Sequence, residues 1–113
     1  MALSHRVTLN ASVTVATTTS VAPTVAIPDN CTNIVISNPT GGGTLYVSGA
    51  GIAVGTVLAP GTNAFPVAPG GALSLDIGTF AQHGDMTGSN GISYGATAAT
   101  TAYILYTCNL GAA

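Results

Sequence analysis

Almost nothing in this 113-residue sequence carries a charge: Arg6, Asp29, Asp76 and Asp85 are the whole set. That is 4% of the chain, against about 25% in typical soluble domains. With one arginine and no lysine, a row of phosphates cannot be neutralised, so nucleic-acid binding is all but excluded. The same deficit removes the attraction to anionic membrane surfaces. No apolar run approaches the roughly 20 residues that a membrane-crossing helix needs. Tryptophan is absent, which weakens a ligand-stacking reading. Two cysteines cannot by themselves supply a structural zinc site, which usually needs four Cys or His ligands at tight spacing. No cofactor is expected.

What fills the chain is apolar and neutral-polar. Hydrophobic residues make up 47%, and Thr, Ser, Asn, Gly and Ala stand where Lys and Glu would usually be. Disordered segments are charged and apolar-poor, and this chain is neither. Its length suits one domain with one core. Near-neutral surfaces protect a free monomer poorly and tend to associate, so association is the expected fate.

The N-terminus lacks the continuous apolar stretch of a signal peptide. The expectation is mature structure made in a cytoplasm, with Cys31 and Cys108 reduced and buried as small apolar side chains. A disulfide between them is the alternative.

Period-two alternation is clearest from Val7 to Val15, with apolar residues at odd positions and Thr, Asn or Ser at even ones, predicting a half-buried strand. Thr17 to Pro28 stays extended, and its prolines suit an edge or an arm. Residues 1–28 therefore read as an N-terminal strand or arm, and 29–113 as the main domain. Cys31 to Ser37 predicts a second strand, Asn38-Pro39-Thr40-Gly41-Gly42-Gly43 a turn, and Thr44 to Ser48 a returning strand that closes a hairpin. Gly49 to Gly71 turns too often for a helix and is expected to wrap the sheet. A further strand is expected at Ala72 to Ile77, with Leu73, Leu75 and Ile77 inward. Phe80 to Tyr94 reads as an exposed loop, and Ala102 to Cys108 as a closing strand. Tyr103 and Tyr106 have opposite parity and should face opposite sides of that strand. The fold class is all-β: a single antiparallel β-sandwich or jelly-roll-like barrel.

Candidate chemistry is sparse. Gly49-Ala50-Gly51-Ile52-Ala53-Val54-Gly55, with Asp76 downstream, superficially matches a dinucleotide fingerprint, but Pro60, Pro66 and Pro69 prevent the helix that motif requires. A turn with positive φ is the better reading. His83-Gly84-Asp85 is the one local pairing of a base with a carboxylate, near Ser89 and Ser93, with no rigid support or oxyanion site in view. No enzymatic activity is expected. His5 and Arg6 read as an assembly contact or an exposed terminus. Tyrosine brings apolar area with a polar tip, which makes Tyr46 and Tyr94 candidate interface anchors. Together with Arg6, Val7, Leu9, Val13, Val15, Val25 and Ile27 they form the expected assembly surface, the strand adding to a neighbour's sheet edge.

The run Ile34-Val35-Ile36-Ser37-Asn38-Pro39, then Thr44-Leu45-Tyr46-Val47-Ser48-Gly49, then Leu58-Ala59-Pro60-Gly61 resembles small β-sandwich virion proteins of tailed bacteriophages. It covers about residues 31–77, and its motifs are β-turn chemistry of modest specificity. The Thr-rich N-terminal segment departs from the pattern. The resemblance implies a capsid decoration (cement) protein that stabilises the head by bridging capsid subunits, with the major capsid protein and copies of itself as partners in a homotrimer. A tail or fibre component is the alternative, and a host-glycan module using the Phe80–Tyr94 loop is another. The implied location is the virion.

Overall fold

The computed structural model describes residues 5–23, 25, 27–28, 31–49, 52–76 and 92–110, with the backbone alone at 5–7 and 109–110. Among the described residues seven strands form: β1 (His5–Val15), β2 (Cys31–Ser37), β3 (Leu45–Ser48), β4 (Phe65–Val67), β5 (Ala72–Asp76), β6 (Ser93–Ala96) and β7 (Thr100–Leu110). The described residues contain no helix. Among the described residues every pairing between these strands is antiparallel, in one sheet of order β1-β7-β2-β5 and a second of order β4-β3-β6. The segment 17–21 extends the second sheet. Val21 and Tyr94 exchange backbone hydrogen bonds of 2.8 Å, and the Ala96 N–H donates to the Thr17 carbonyl at 2.9 Å. With that segment each sheet has four members among the described residues, the arrangement of a jelly roll.

The alternation in β1 has the expected consequence. Val13 and Val15 are buried, while Thr8, Asn10, Ser12 and Thr14 are exposed. Leu9 shares their parity but is 42% exposed, on a strand at the edge of its sheet. The core between the sheets is built on Ile34 and Ile36 of β2, Leu45 and Val47 of β3, Val67 of β4, Tyr94 and Ala96 of β6, and Ala102, Ile104 and Tyr106 of β7. Removing a side chain of Leu or Ile size from water contributes about 1.5–3 kcal/mol. Leu73 and Leu75 of β5 pack against this core half-buried, and Ile77 lies outside the described residues.

Two expectations are corrected. The strands β2 and β3 do not form a hairpin: β2 already has β7 on one side and β5 on the other, so both of its edges are taken. The chain instead crosses between sheets at residues 38–44. Asn38 holds this corner, fully buried, its Nδ2 donating to the carbonyls of Gly43 at 3.1 Å and Val67 at 2.8 Å. The corner locks onto the opposite crossing between β6 and β7. The Gly43 N–H donates to Thr100 Oγ1 at 2.8 Å, and the Thr44 N–H to Thr97 Oγ1 at 2.9 Å. A Cβ at Gly43 would stand 2.6 Å from the Ala98 backbone nitrogen, so only glycine allows the two corners this close.

The second correction concerns Tyr94, read as the end of an exposed loop. It belongs to β6 and is 1% exposed. The β4 strand has no clear signal in the sequence, because Pro66 demotes Phe65-Pro66-Val67 from any central strand; it occurs where proline is tolerated, at a sheet edge.

Candidate assembly surface

The two sheets treat their edges differently. In the second sheet the 17–21 segment is covered on its free side by residues 55–58. The Ser20 N–H donates to the Thr56 carbonyl, the Leu58 N–H to the Thr18 carbonyl, both at 2.8 Å, and the Gly55 N–H to the Ser20 carbonyl at 2.9 Å. The Ser20 hydroxyl donates to the Ala53 carbonyl and accepts from the Thr56 N–H. Gly95 leaves room for this layer, since a Cβ there would meet the Thr18 carbonyl oxygen at 3.0 Å and Leu58 at 3.3 Å. The next backbone groups outward are also occupied. Asn63 donates to the Val57 carbonyl and accepts from the Ala59 N–H. At the other end of this sheet, β4 carries Pro66, which has no N–H to offer a partner strand.

The first sheet has no such protection among the described residues. Its edges are β1 and β5. The eleven residues of β1 pair with β7 in unbroken register, with no proline, no bulge and no charge between Val7 and Val15. Native edge strands are usually blunted by those devices, and an unblunted one is a template for pairing.

The outer face of this sheet is nearly uncharged. Register aligns Thr8, Thr107, Asn33 and Asp76 in one row, Asn10, Leu105, Val35 and Ser74 in the next, and Ser12, Tyr103, Ser37 and Ala72 in a third. Asp76 is the one ionisable carboxylate or base of those positions. Tyr103 is 56% exposed on this face while Tyr106 is 1% exposed in the core, as their parity requires. Little ionic desolvation would oppose covering such a face.

The expected interface residues separate accordingly. Val13, Val15, Ile27 and Tyr94 are buried in the core, so their side chains are spent on the fold; an interface along this strand would use its backbone edge. Leu9 and Val25 are exposed, and Tyr46 is half-buried. The Val25 carbonyl accepts from the Tyr106 hydroxyl at 3.1 Å, which ties residue 25 to the core. Arg6 and Val7 stand opposite Asn109 and Cys108 in the β1·β7 register; their side chains lie outside the described set, as does that of His5. Phe65, which composition did not single out, is 59% exposed beside an apolar cleft formed with Leu73, Leu75 and Ile92.

His83, Asp85 and Ser89 lie outside the described residues, while Ser93 is buried in β6 with its hydroxyl bonded to that of Ser48. Gly55, within the glycine run, has φ +95°, the turn conformation expected of it. The Leu58-Ala59-Pro60-Gly61 stretch is also a turn, Gly61 having φ +81°, and it leads into β4.

No protein-family model matches this chain, and no curated protein does. Among solved structures, a chain from work on Bacillus endospore appendages, described there as a novel family of disulfide-linked pili, is similar with a TM-score of 0.52. Its identity to this chain is 17%, and the match covers 100% of this chain and 92% of that one. At that identity the likeness is one of fold.

Proposed function

We propose that this chain is a non-enzymatic structural subunit that packs into a repeating protein assembly, using the edges and outer face of its first sheet. The observation that carries this reading is the unequal treatment of edges. Among the described residues, the second sheet is closed off by residues 55–58, Asn63 and Pro66, while β1 is left unblunted and β5 carries a single charge, Asp76, beside a face with almost no charge. Three successive antiparallel pairings separate β1 from β5, so the two edges run in opposite directions. A second copy set beside the first would therefore continue the antiparallel sheet, a head-to-tail contact that propagates if it does not close. The fold likeness to a chain from a bacterial appendage supports an assembly of this kind.

The finer reading as a phage capsid decoration protein, bound to the major capsid protein as a trimer, is supported by the residue run 31–77 alone. The two differ in what the purified chain does without a partner. Open association into filaments favours the appendage-like reading, whereas closed trimers that add to phage heads favour decoration. Sedimentation velocity and electron microscopy of the purified chain distinguish them. The double substitution Thr8→Lys and Thr14→Lys places charge on the exposed face of β1 and should abolish association while leaving the fold intact. A chain that stays monomeric at every concentration and on every particle, or a lysine variant that associates like the parent, refutes the proposal.

A further inference from the structure

Cys31 opens β2 and Cys108 lies near the end of β7, and the register places them directly opposite each other. Both are fully buried and both carry thiols. Directly opposed residues of antiparallel strands have Cα atoms about 4.5 Å or about 5.5 Å apart, according to whether the pair is hydrogen-bonded. Disulfides span Cα separations of about 4.4–6.8 Å, so either class of pair fits. The register slips between Cys31 and Asn33, with Thr32 as the additional residue. An irregularity at that point lets the backbone adjust where a covalent bridge would need it. The Cys31 thiol also donates to the Asn33 carbonyl at 3.4 Å, beside the slipped register.

We propose that Cys31 and Cys108 form a modification site: a dithiol that closes to an intrachain disulfide by exchange with a small-molecule disulfide while the chain folds, and is then sealed in whichever state it was buried. With oxidised glutathione as the oxidant, a thiolate of the pair attacks its disulfide and releases one glutathione thiolate, which is protonated. The second cysteine loses its proton to solvent and displaces the remaining glutathione from the mixed disulfide. The pair loses two hydrogens and two electrons, and one glutathione disulfide becomes two glutathione thiols.

Burial accounts for the sealing. Neither sulfur reaches solvent, so no oxidant can approach. Burial, then the neighbouring Cys108, pushes the Cys31 thiol up to about 11, and burial raises Cys108 as well. The attacking thiolate is therefore scarce at neutral pH. The same burial keeps the bridge within one chain. Once formed, it joins the two central strands of the first sheet and closes a long loop, which raises Tm by about 10 °C or more.

Intact-mass measurement of the full chain in three preparations tests this. Chain refolded from urea with oxidised glutathione should be about 2 Da lighter, monomeric on a non-reducing gel and higher in Tm. Chain refolded with dithiothreitol should keep both thiols, and the same folded reduced chain should resist oxidised glutathione. Glutathione adducts, interchain dimers or an unchanged mass after oxidative refolding overturn the proposal, and oxidation of the folded chain as fast as the unfolded one overturns the sealing. Cys31→Ala and Cys108→Ala should each abolish the mass loss; the wild-type measurement stands even if these variants do not fold.

Discussion

Replacing Asn38 with alanine should cost far more than its two lost hydrogen bonds suggest. Asn38 Nδ2 serves two carbonyls, of Gly43 and Val67, from a fully buried position. Stripping a buried acceptor of its donor costs about 1–3 kcal/mol each, because the group loses protein and water partners together. Against this, Asn38 Oδ1 is itself buried without a hydrogen bond, and its removal returns about 1 kcal/mol. The net expectation is about 3 kcal/mol, or a Tm lower by roughly 10 °C. Urea unfolding followed by far-UV circular dichroism measures it, with a lower midpoint at unchanged slope. Asn38→Asp supplies the second arm, since it keeps the volume but points carboxylate oxygens at the same carbonyls. Its folded pKa must rise above the unfolded value, because burial and the facing dipoles disfavour the ionised form. Its stability is then fully present below the unfolded pKa and lost as pH rises through the folded one. An alanine variant within about 0.5 kcal/mol of the parent, or an aspartate variant whose stability relative to the parent ignores pH, would refute the role given to this corner.

Alkali should unfold the reduced protein in a defined window. Burial, with the nearby Cys108, takes Cys31 from 9.0 to about 11, and burial, with the nearby cysteines, takes Tyr106 from 10.0 to about 12. Both folded values are raised, so the stability they contribute is fully present below the unfolded values and disappears as pH climbs through the folded ones. Circular dichroism across that range should show the loss, and Cys31→Ala should remove its lower part; a flat profile to pH 12 would contradict the burial of both groups. Gly43→Ala forces a Cβ against the Ala98 backbone, and a cost of about 2 kcal/mol or more is expected by thermal unfolding, whereas a neutral effect would mean that the two corners are not in contact.

Much of the local reading survives in the structure because it depends on period and parity alone. The alternation of Val7 to Val15, the β-branched run from Cys31, and the opposite faces of Tyr103 and Tyr106 are consequences of side chains projecting to alternate sides of a strand. Partner choice has no such signal. Thr44 to Ser48 follows Cys31 to Ser37 after a glycine-rich turn, which is the pattern of a hairpin, and nothing local reveals that both edges of β2 are claimed by strands 35 or more residues away in sequence. Tyr94 was misplaced for a related reason. The surrounding glycines and polar residues look like loop, and pairing with β3 on one side and the 17–21 segment on the other makes Ser93–Ala96 a buried strand. The candidate surface was half legible: scarcity of charge pointed to association, but which edge stays unblunted depends on where Asn63, Pro66 and residues 55–58 come to rest.

By itself, then, the order of residues determined that this chain makes strands, which faces of most of them are apolar, and that its surface is nearly uncharged, since these follow from side-chain chemistry and a backbone repeat of two. Only the folded molecule decided which strands pair, that Asn38 sits in the core between two sheets, and that Cys31 faces Cys108. Those are contacts between residues far apart along the chain, and their energies exist only once the whole sandwich has closed around them.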